Sequence, residues 1–240
     1  MYKRITHNII EEHFDSPIAS QIKNSIERGF RSPRLRVMPG IPNDQIFDKD
    51  RFRSDMIGAL NGYGMGINAM IDALTLPESE LVKEFESIFT NIDTIGNMTK
   101  PFFPSELGER INVAMRYAAV YIMMMIHTEK LGQDTGWMFN RLGQNSFELA
   151  NALNAFNTAW NSNDLIAFLN SLNTKIRDRM TAKTANNTTA DATLKGEIAG
   201  QYISLANLIA DGIINKFPSR FVTAPMTGIE WPCPTPTPSA

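Results

Sequence analysis

The sequence is poor in the residues on which many known sites depend. Cys233 is the single cysteine among 240 residues, and there are three histidines. One cysteine excludes an intrachain disulfide and any zinc site built from several cysteines. The longest apolar run, residues 117–126, would rise about 15 Å as a helix, roughly half of a bilayer core. We therefore expect no disulfide framework and no membrane span.

Several common catalytic and ligand-binding motifs are also missing. The sequence has no HExxH pattern, no nucleophile elbow and no calcium loop. A ferritin-like di-iron centre needs Glu-x-x-His on two helices, and no glutamate has a histidine three residues after it. His7, Glu11, Glu12 and His13 are close in sequence, but on a helix they do not converge. We expect a non-enzymatic protein without a metal or cofactor.

The overall balance of charge is close to neutral. The net charge is −2, and 20% of the residues are charged. These values are typical of a globular protein, and they argue against a surface built as a whole for nucleic acid. The N-terminal residues have no apolar stretch of the signal-peptide kind. We therefore expect a location in the cytoplasm or in a virus particle.

Apolar residues recur at helical spacing through most of the chain. This pattern predicts an all-α, multi-helix bundle that occupies residues 1–217 as one domain. The segment 105–131 is apolar on more than one face, which predicts the central helix. Phe221–Thr223 is the best short strand. The first three predicted helices span 6–15, 17–29 and 44–76. The next helix begins at Pro77, and another spans 105–131. Two more have N-caps at Ser146 and at Asn163 or Asp164, and the last helix spans 194–217.

Four local patterns carry further predictions. Glycines at 58, 62, 64 and 66 indicate close helix packing or a bend, because Ile67-Asn68 follows where a phosphate loop needs Lys-Ser/Thr. The methionine-rich region, with Met115, Met138 and residues 123–125, is expected in the core. Trp137 and Trp160 are expected to anchor core packing. The Thr/Asn/Ala-rich stretch 181–193 is predicted to be an exposed loop.

Residues 30–45 interrupt the helical pattern. Three prolines and a glycine forbid regular structure there, so we predict a long irregular loop. Residues 1–36 hold seven basic and four acidic residues, a net charge of +3. Such a loop suits an acidic neighbour or a phosphate. Its candidate partner-binding residues are Arg31, Arg34 and Arg36, with Arg28 in the same basic region.

The end of the chain is rich in proline. Alternate prolines from 232 to 238 remove backbone donors and fix φ, so residues 218–240 are predicted to form an extended arm. A tryptophan directly before the prolines is suited to filling a pocket on a partner. The candidate partner-binding residues of the arm are Phe221, Trp231, Pro232, Pro234 and Pro236.

These features favour a structural subunit of a larger homo- or hetero-oligomeric assembly, such as a phage-like virus particle. Its partners would be copies of itself or other protein subunits, reached through the arm and the loop. One alternative is a helical enzyme or ligand-binding protein with a pocket near His127 and Glu129. A second is a nucleic-acid-associated subunit that uses the region Arg28–Arg36.

Overall fold

The computed structural model describes residues 45–223, together with Asn24, and it is an all-α bundle. The predicted fold class is therefore confirmed. Between residues 45 and 223 the helices are α1 (Lys49–Asp72), α2 (Glu78–Thr99), α3 (Ser105–Lys130), α4 (Gly136–Phe156), α5 (Ser162–Thr184) and α6 (Thr188–Lys216). The same part holds two strands, β1 (Phe47–Asp48) and β2 (Phe221–Val222), and two short 3₁₀ turns, Ala73–Thr75 and Pro218–Arg220.

The helices form a closed ring. Each packs against its neighbours in sequence, and α6 packs against α1. Short connections between long helices favour this antiparallel arrangement. The helix α3 contains the stretch 122–128, in which every residue is buried, so its predicted burial is confirmed; it is a member of the ring and not a central helix. Met115, Met138 and residues 123–125 are buried in the core, as predicted.

The first three helices begin and end near the predicted positions. The Asp48 side chain caps α1 by accepting a hydrogen bond of 2.7 Å from the Arg51 amide. Pro77 and Pro104 precede α2 and α3. Gly132, with φ of +66°, lies just after α3, where a left-handed residue ends a helix at little cost.

Two predicted helix starts are wrong. Ser146 does not cap a helix, since α4 begins ten residues earlier and Ser146 is buried within it. Its hydroxyl donates to the Leu142 carbonyl at 3.1 Å and accepts from the Asn173 amide at 2.9 Å, so a buried bond to α5 explains the polar side chain. The cap of α5 is Asn161, whose side chain accepts from the amides of Asn163 and Asp164.

The predicted loop at 181–193 is also wrong. Helix α5 continues to Thr184 and α6 begins at Thr188, so three residues connect them. Asn186 makes the turn with φ of +55°, and the Asn187 side chain accepts from the Ala190 amide at 3.1 Å. The polar residues of this stretch belong to two helix ends, which are joined by the ion pairs of Asp191 with Arg179 and Lys183.

One of the two tryptophan predictions is confirmed. Trp160 is buried, and its indole N–H donates to the Leu208 carbonyl at 3.1 Å. Trp137 is not a core residue, because 39% of its surface is exposed. The Arg141 guanidinium lies over its ring, 5.3 Å from the centroid. Trp137 is therefore a partly covered surface residue on α4.

Several predictions fall on other parts of the chain. Outside the described residues lie the predicted helix 6–15, the predicted helix 17–29 apart from Asn24, all of the loop 30–45 except its last residue, and the arm beyond residue 223. The single-domain boundary at residue 217 stays a prediction. The segment 218–222 forms the second 3₁₀ turn and β2, and Phe221 packs against the bundle.

Candidate functional site

A network of ion pairs joins three helices at one end of the bundle. Arg179 of α5 is fully buried, and its Nη1 donates to the backbone and side-chain oxygens of Asn68 on α1, both at 2.8 Å. Its Nε donates to Asp191 on α6 at 2.8 Å, and its Nη2 pairs with Asp72 on α1. A guanidinium with this many partners holds the three helices in a fixed arrangement.

Two lysines complete this network. Lys183 lies 3.4 Å from both Asp72 and Asp191, and Lys195 lies 2.7 Å from Asp72. Burial alone would raise the pKa of Asp72, but the hydrogen bonds and charges of Lys195 and Arg179 outweigh it and lower that pKa. Asp72 is therefore held ionised and paired, which suits a structural role better than proton transfer.

The predicted pocket residues His127 and Glu129 lie at the same end but contact different helices. The Nδ1 atom of His127 is 3.0 Å from a carboxylate oxygen of Glu78 on α2. Glu129 accepts a hydrogen bond from the Thr184 hydroxyl on α5 at 3.2 Å. The two side chains are therefore not brought together as one site.

Burial governs the protonation of His127. Desolvation lowers its pKa, and the charge of Lys130 acts in the same direction, while Glu78 opposes them. The net direction of the pKa shift is downward, so the imidazole is neutral near pH 7. In the chain from 45 to 223, no three His, Cys, Asp or Glu side chains lie close enough together to hold a metal ion.

The opposite end of the bundle is aromatic. The ring of Phe221 stacks on Phe102 with centroids 5.4 Å apart, and it lies 5.2 Å from Phe52 and 5.8 Å from Phe47. The Arg220 guanidinium covers the Phe102 ring at 5.0 Å. That Phe221 also binds a partner stays a prediction. Its ring packs within its own chain, because the segment 218–222 folds back onto the bundle.

The two strands fix where the chain enters and leaves this end. They pair in parallel, with Phe47 opposite Phe221 and Asp48 opposite Val222. Residues 45 and 223 are therefore held at the same end of the bundle. The other candidate residues lie outside the described residues, on the segments that connect here: Arg31, Arg34, Arg36, Trp231, Pro232, Pro234 and Pro236.

A surface that the sequence does not predict lies on α1 and α6. Residues 56–71 of α1 and 198–210 of α6 contain no charged residue, and these two helices pack side by side. Met65 is 60% exposed and Ile203 is 37% exposed. They follow Gly64 and Tyr202, which are in contact, so they lie at the same level of the helix pair. We call this surface the α1/α6 face; its outward residues include Gly58, Met65, Gly196, Gly200, Ile203 and Asn207.

The glycines of α1 and α6 fall into two groups. At Gly62 and Gly66 an added Cβ would lie 2.8 Å from Asn91 and 2.5 Å from Ile88, and at Gly64 it would overlap the Tyr202 ring. These three confirm the predicted close packing, and Gly212 of α6 joins them because its Cβ would overlap the Trp160 ring. The other group consists of Gly58, Gly196 and Gly200, where an added Cβ would meet nothing within 4 Å.

Contacts within the described part of the chain do not explain this second group. A glycine in a helix interior costs about 1 kcal/mol relative to alanine. All three glycines lie on the α1/α6 face, where a missing Cβ would let another backbone approach closely. The signal was present in the sequence as two long uncharged stretches, but only the packing of α1 on α6 joins them into one surface.

No family model, curated protein or solved structure matches this chain. In the part from residue 45 to residue 223, none of the helices combines the length and apolarity that crossing a membrane requires.

Proposed function

We propose that this chain is a non-enzymatic structural subunit of a larger assembly, of the kind found in a phage-like virus particle. Its contacts with other subunits would come from the segment before residue 45 and from the arm beyond residue 223. In this role the bundle is a rigid body, and the two segments reach neighbouring subunits.

The parallel pairing of β1 with β2 is the observation that carries the proposal. It anchors the attachment points of both segments beside each other, on an aromatic cluster that includes Phe52, Phe102 and Phe221. Two segments that leave one rigid end can contact the same neighbour or two adjacent neighbours. An anchor of this kind is useful when the segments bear load between subunits.

The ion pairs at the other end agree with this proposal. Asp72 and Asp191 are both paired with Arg179 and Lys183, and they connect α1, α5 and α6. These groups stabilise the body of the bundle. A rigid body is what an assembly subunit needs in order to hold its contact surfaces in a constant relative position.

Truncation of the arm tests the proposal. A chain that ends at Thr223 keeps Phe221 and the aromatic cluster, so we expect its melting temperature to match that of the full chain. We expect its native mass, measured by light scattering after size exclusion, to fall to that of a smaller species. The full-length variant Trp231→Ala should show the same change in part.

The matched control is Trp137→Ala, which removes a partly exposed tryptophan from α4 and leaves the arm intact. This variant should keep the native mass of the full chain. The proposal is wrong if the chain that ends at Thr223 assembles to the same mass as the full chain.

A further inference from the structure

We infer that the α1/α6 face binds the same face of a second copy of this chain. The inference rests on the proposed function and deepens it, because it names one partner and the surface that meets it. The surface consists of residues of the bundle, whereas the proposed function concerns residues before 45 and beyond 223.

The composition of the face is typical of the core of a protein interface. Such cores are recognised less by bulk hydrophobicity than by a lack of charged residues. The face combines two exposed apolar side chains, Met65 and Ile203, with Gly58, Gly196 and Gly200, which no contact within the described chain requires. Helices that approach across such glycines can bring their backbones close together.

Two polar side chains near the face each donate a hydrogen bond to their own helix. The Ser204 hydroxyl donates to the Gly200 carbonyl at 3.0 Å, and the Asn207 amide donates to the Ile203 carbonyl at 3.1 Å. Burying these side chains against another molecule would therefore keep these two hydrogen bonds. This lowers the desolvation cost of covering the face.

The charges that border the face point to a second copy as the occupant. At one end Arg53 of α1 pairs with Asp211 of α6, and at the other end Asp72 of α1 pairs with Lys195 of α6. On α1 the charge is therefore positive at the first end and negative at the second. On α6 it is negative at the first end and positive at the second. All four side chains are between 32% and 51% exposed.

This alternation makes the face complementary to itself. A two-fold axis parallel to the helices places Arg53 of one copy opposite Asp211 of the other copy. It also places Asp72 opposite Lys195. A two-fold axis across the helices also places opposite signs over each other. An isologous interface needs this kind of self-complementarity.

The size of the face indicates a reversible dimer. From Arg53 to Asp72 the helix α1 rises about 28 Å, and two adjacent helices are about 20 Å wide. Two copies would bury about 1,100 Å² in total, which is at the lower end of specific interfaces. We therefore expect pairing that depends on protein concentration.

Sedimentation equilibrium on the full chain tests the inference, with the charge variants Gly200→Glu and Met65→Glu. Both positions are open or exposed, so both variants should keep the helical circular dichroism spectrum, and neither should lower the melting temperature. We expect each to weaken dimer formation at least about tenfold. The matched control is Asn140→Glu, which adds the same charge at an exposed position of α4 and should pair like the unchanged chain.

The outcomes separate this inference from the proposed function. If truncation at Thr223 lowers the mass of the assembly but Gly200→Glu and Met65→Glu pair as tightly as Asn140→Glu, the inference about the face is overturned and the proposed function stands. If the two face variants alone weaken pairing, the inference stands and the role of the arm is wrong. If the unchanged chain is monomeric at every concentration, the inference is overturned.

Discussion

Replacing Arg179 with methionine removes the charge at the centre of the ion-pair network and keeps a side chain of similar length. The guanidinium contacts Asn68, Asp72 and Asp191, and no part of it is exposed. Arg179→Met therefore leaves the side-chain oxygen of Asn68 without this donor and removes one cation from each carboxylate.

The expected loss follows from the partners that remain. Removing one member of a buried ion pair costs about 3–5 kcal/mol of unfolding free energy. Lys183 still lies 3.4 Å from both carboxylates, and Lys195 still pairs with Asp72. We therefore expect a loss near the lower limit, about 3 kcal/mol.

Urea denaturation followed by circular dichroism measures this loss. The control is Lys195→Met, which removes a cation from the same Asp72, but with a side chain that is 51% exposed. Solvent screening limits that loss to about 1 kcal/mol or less. If the two variants lose equal amounts, buried coupling through Arg179 does not stabilise the bundle, and the structural role assigned to this network is wrong.

Two further predictions concern packing and pH. Gly64→Ala should destabilise the bundle by about 1–3 kcal/mol, because its Cβ would overlap the Tyr202 ring. Gly58→Ala should stabilise the bundle by about 0.5–1 kcal/mol, since the added Cβ meets open space. Thermal melting distinguishes the two variants, and equal effects would contradict the division of the glycines into two groups. Stability should fall as the pH drops below about 6.5, because the folded state lowers the pKa of His127 and the unfolded chain therefore binds the proton more readily. His127→Gln should fall less between pH 7 and pH 5 in urea titrations, and an identical fall in both proteins would show that His127 does not contribute.

The existence of most helices is predictable because each has an apolar stripe and a local start signal. Pro77, Pro104 and Gly132 act within one turn of the chain, so they can be recognised without knowledge of the fold. Ser146 is misleading because its partner, Asn173, lies 27 residues further along the chain. A serine inside a helix and a serine at its start look alike when the bonding partner is unknown.

The same limitation explains the errors near the polar end of the bundle. The stretch 181–193 lacks an apolar stripe, and its helix ends are stabilised by Arg179, Lys183 and Asp191, whose pairing depends on tertiary structure. The α1/α6 face escapes prediction for a related reason. An uncharged stretch in one helix does not by itself indicate an uncharged surface. The surface exists only because a second uncharged stretch packs beside the first.

The native mass of the full chain, measured by light scattering over a wide range of concentrations, tests the central claim most directly. The monomer has a mass of 26.9 kDa. A structural subunit predicts discrete species at multiples of this mass, which the truncation at Thr223 shifts downward. A mass of 26.9 kDa at every concentration would contradict the claim.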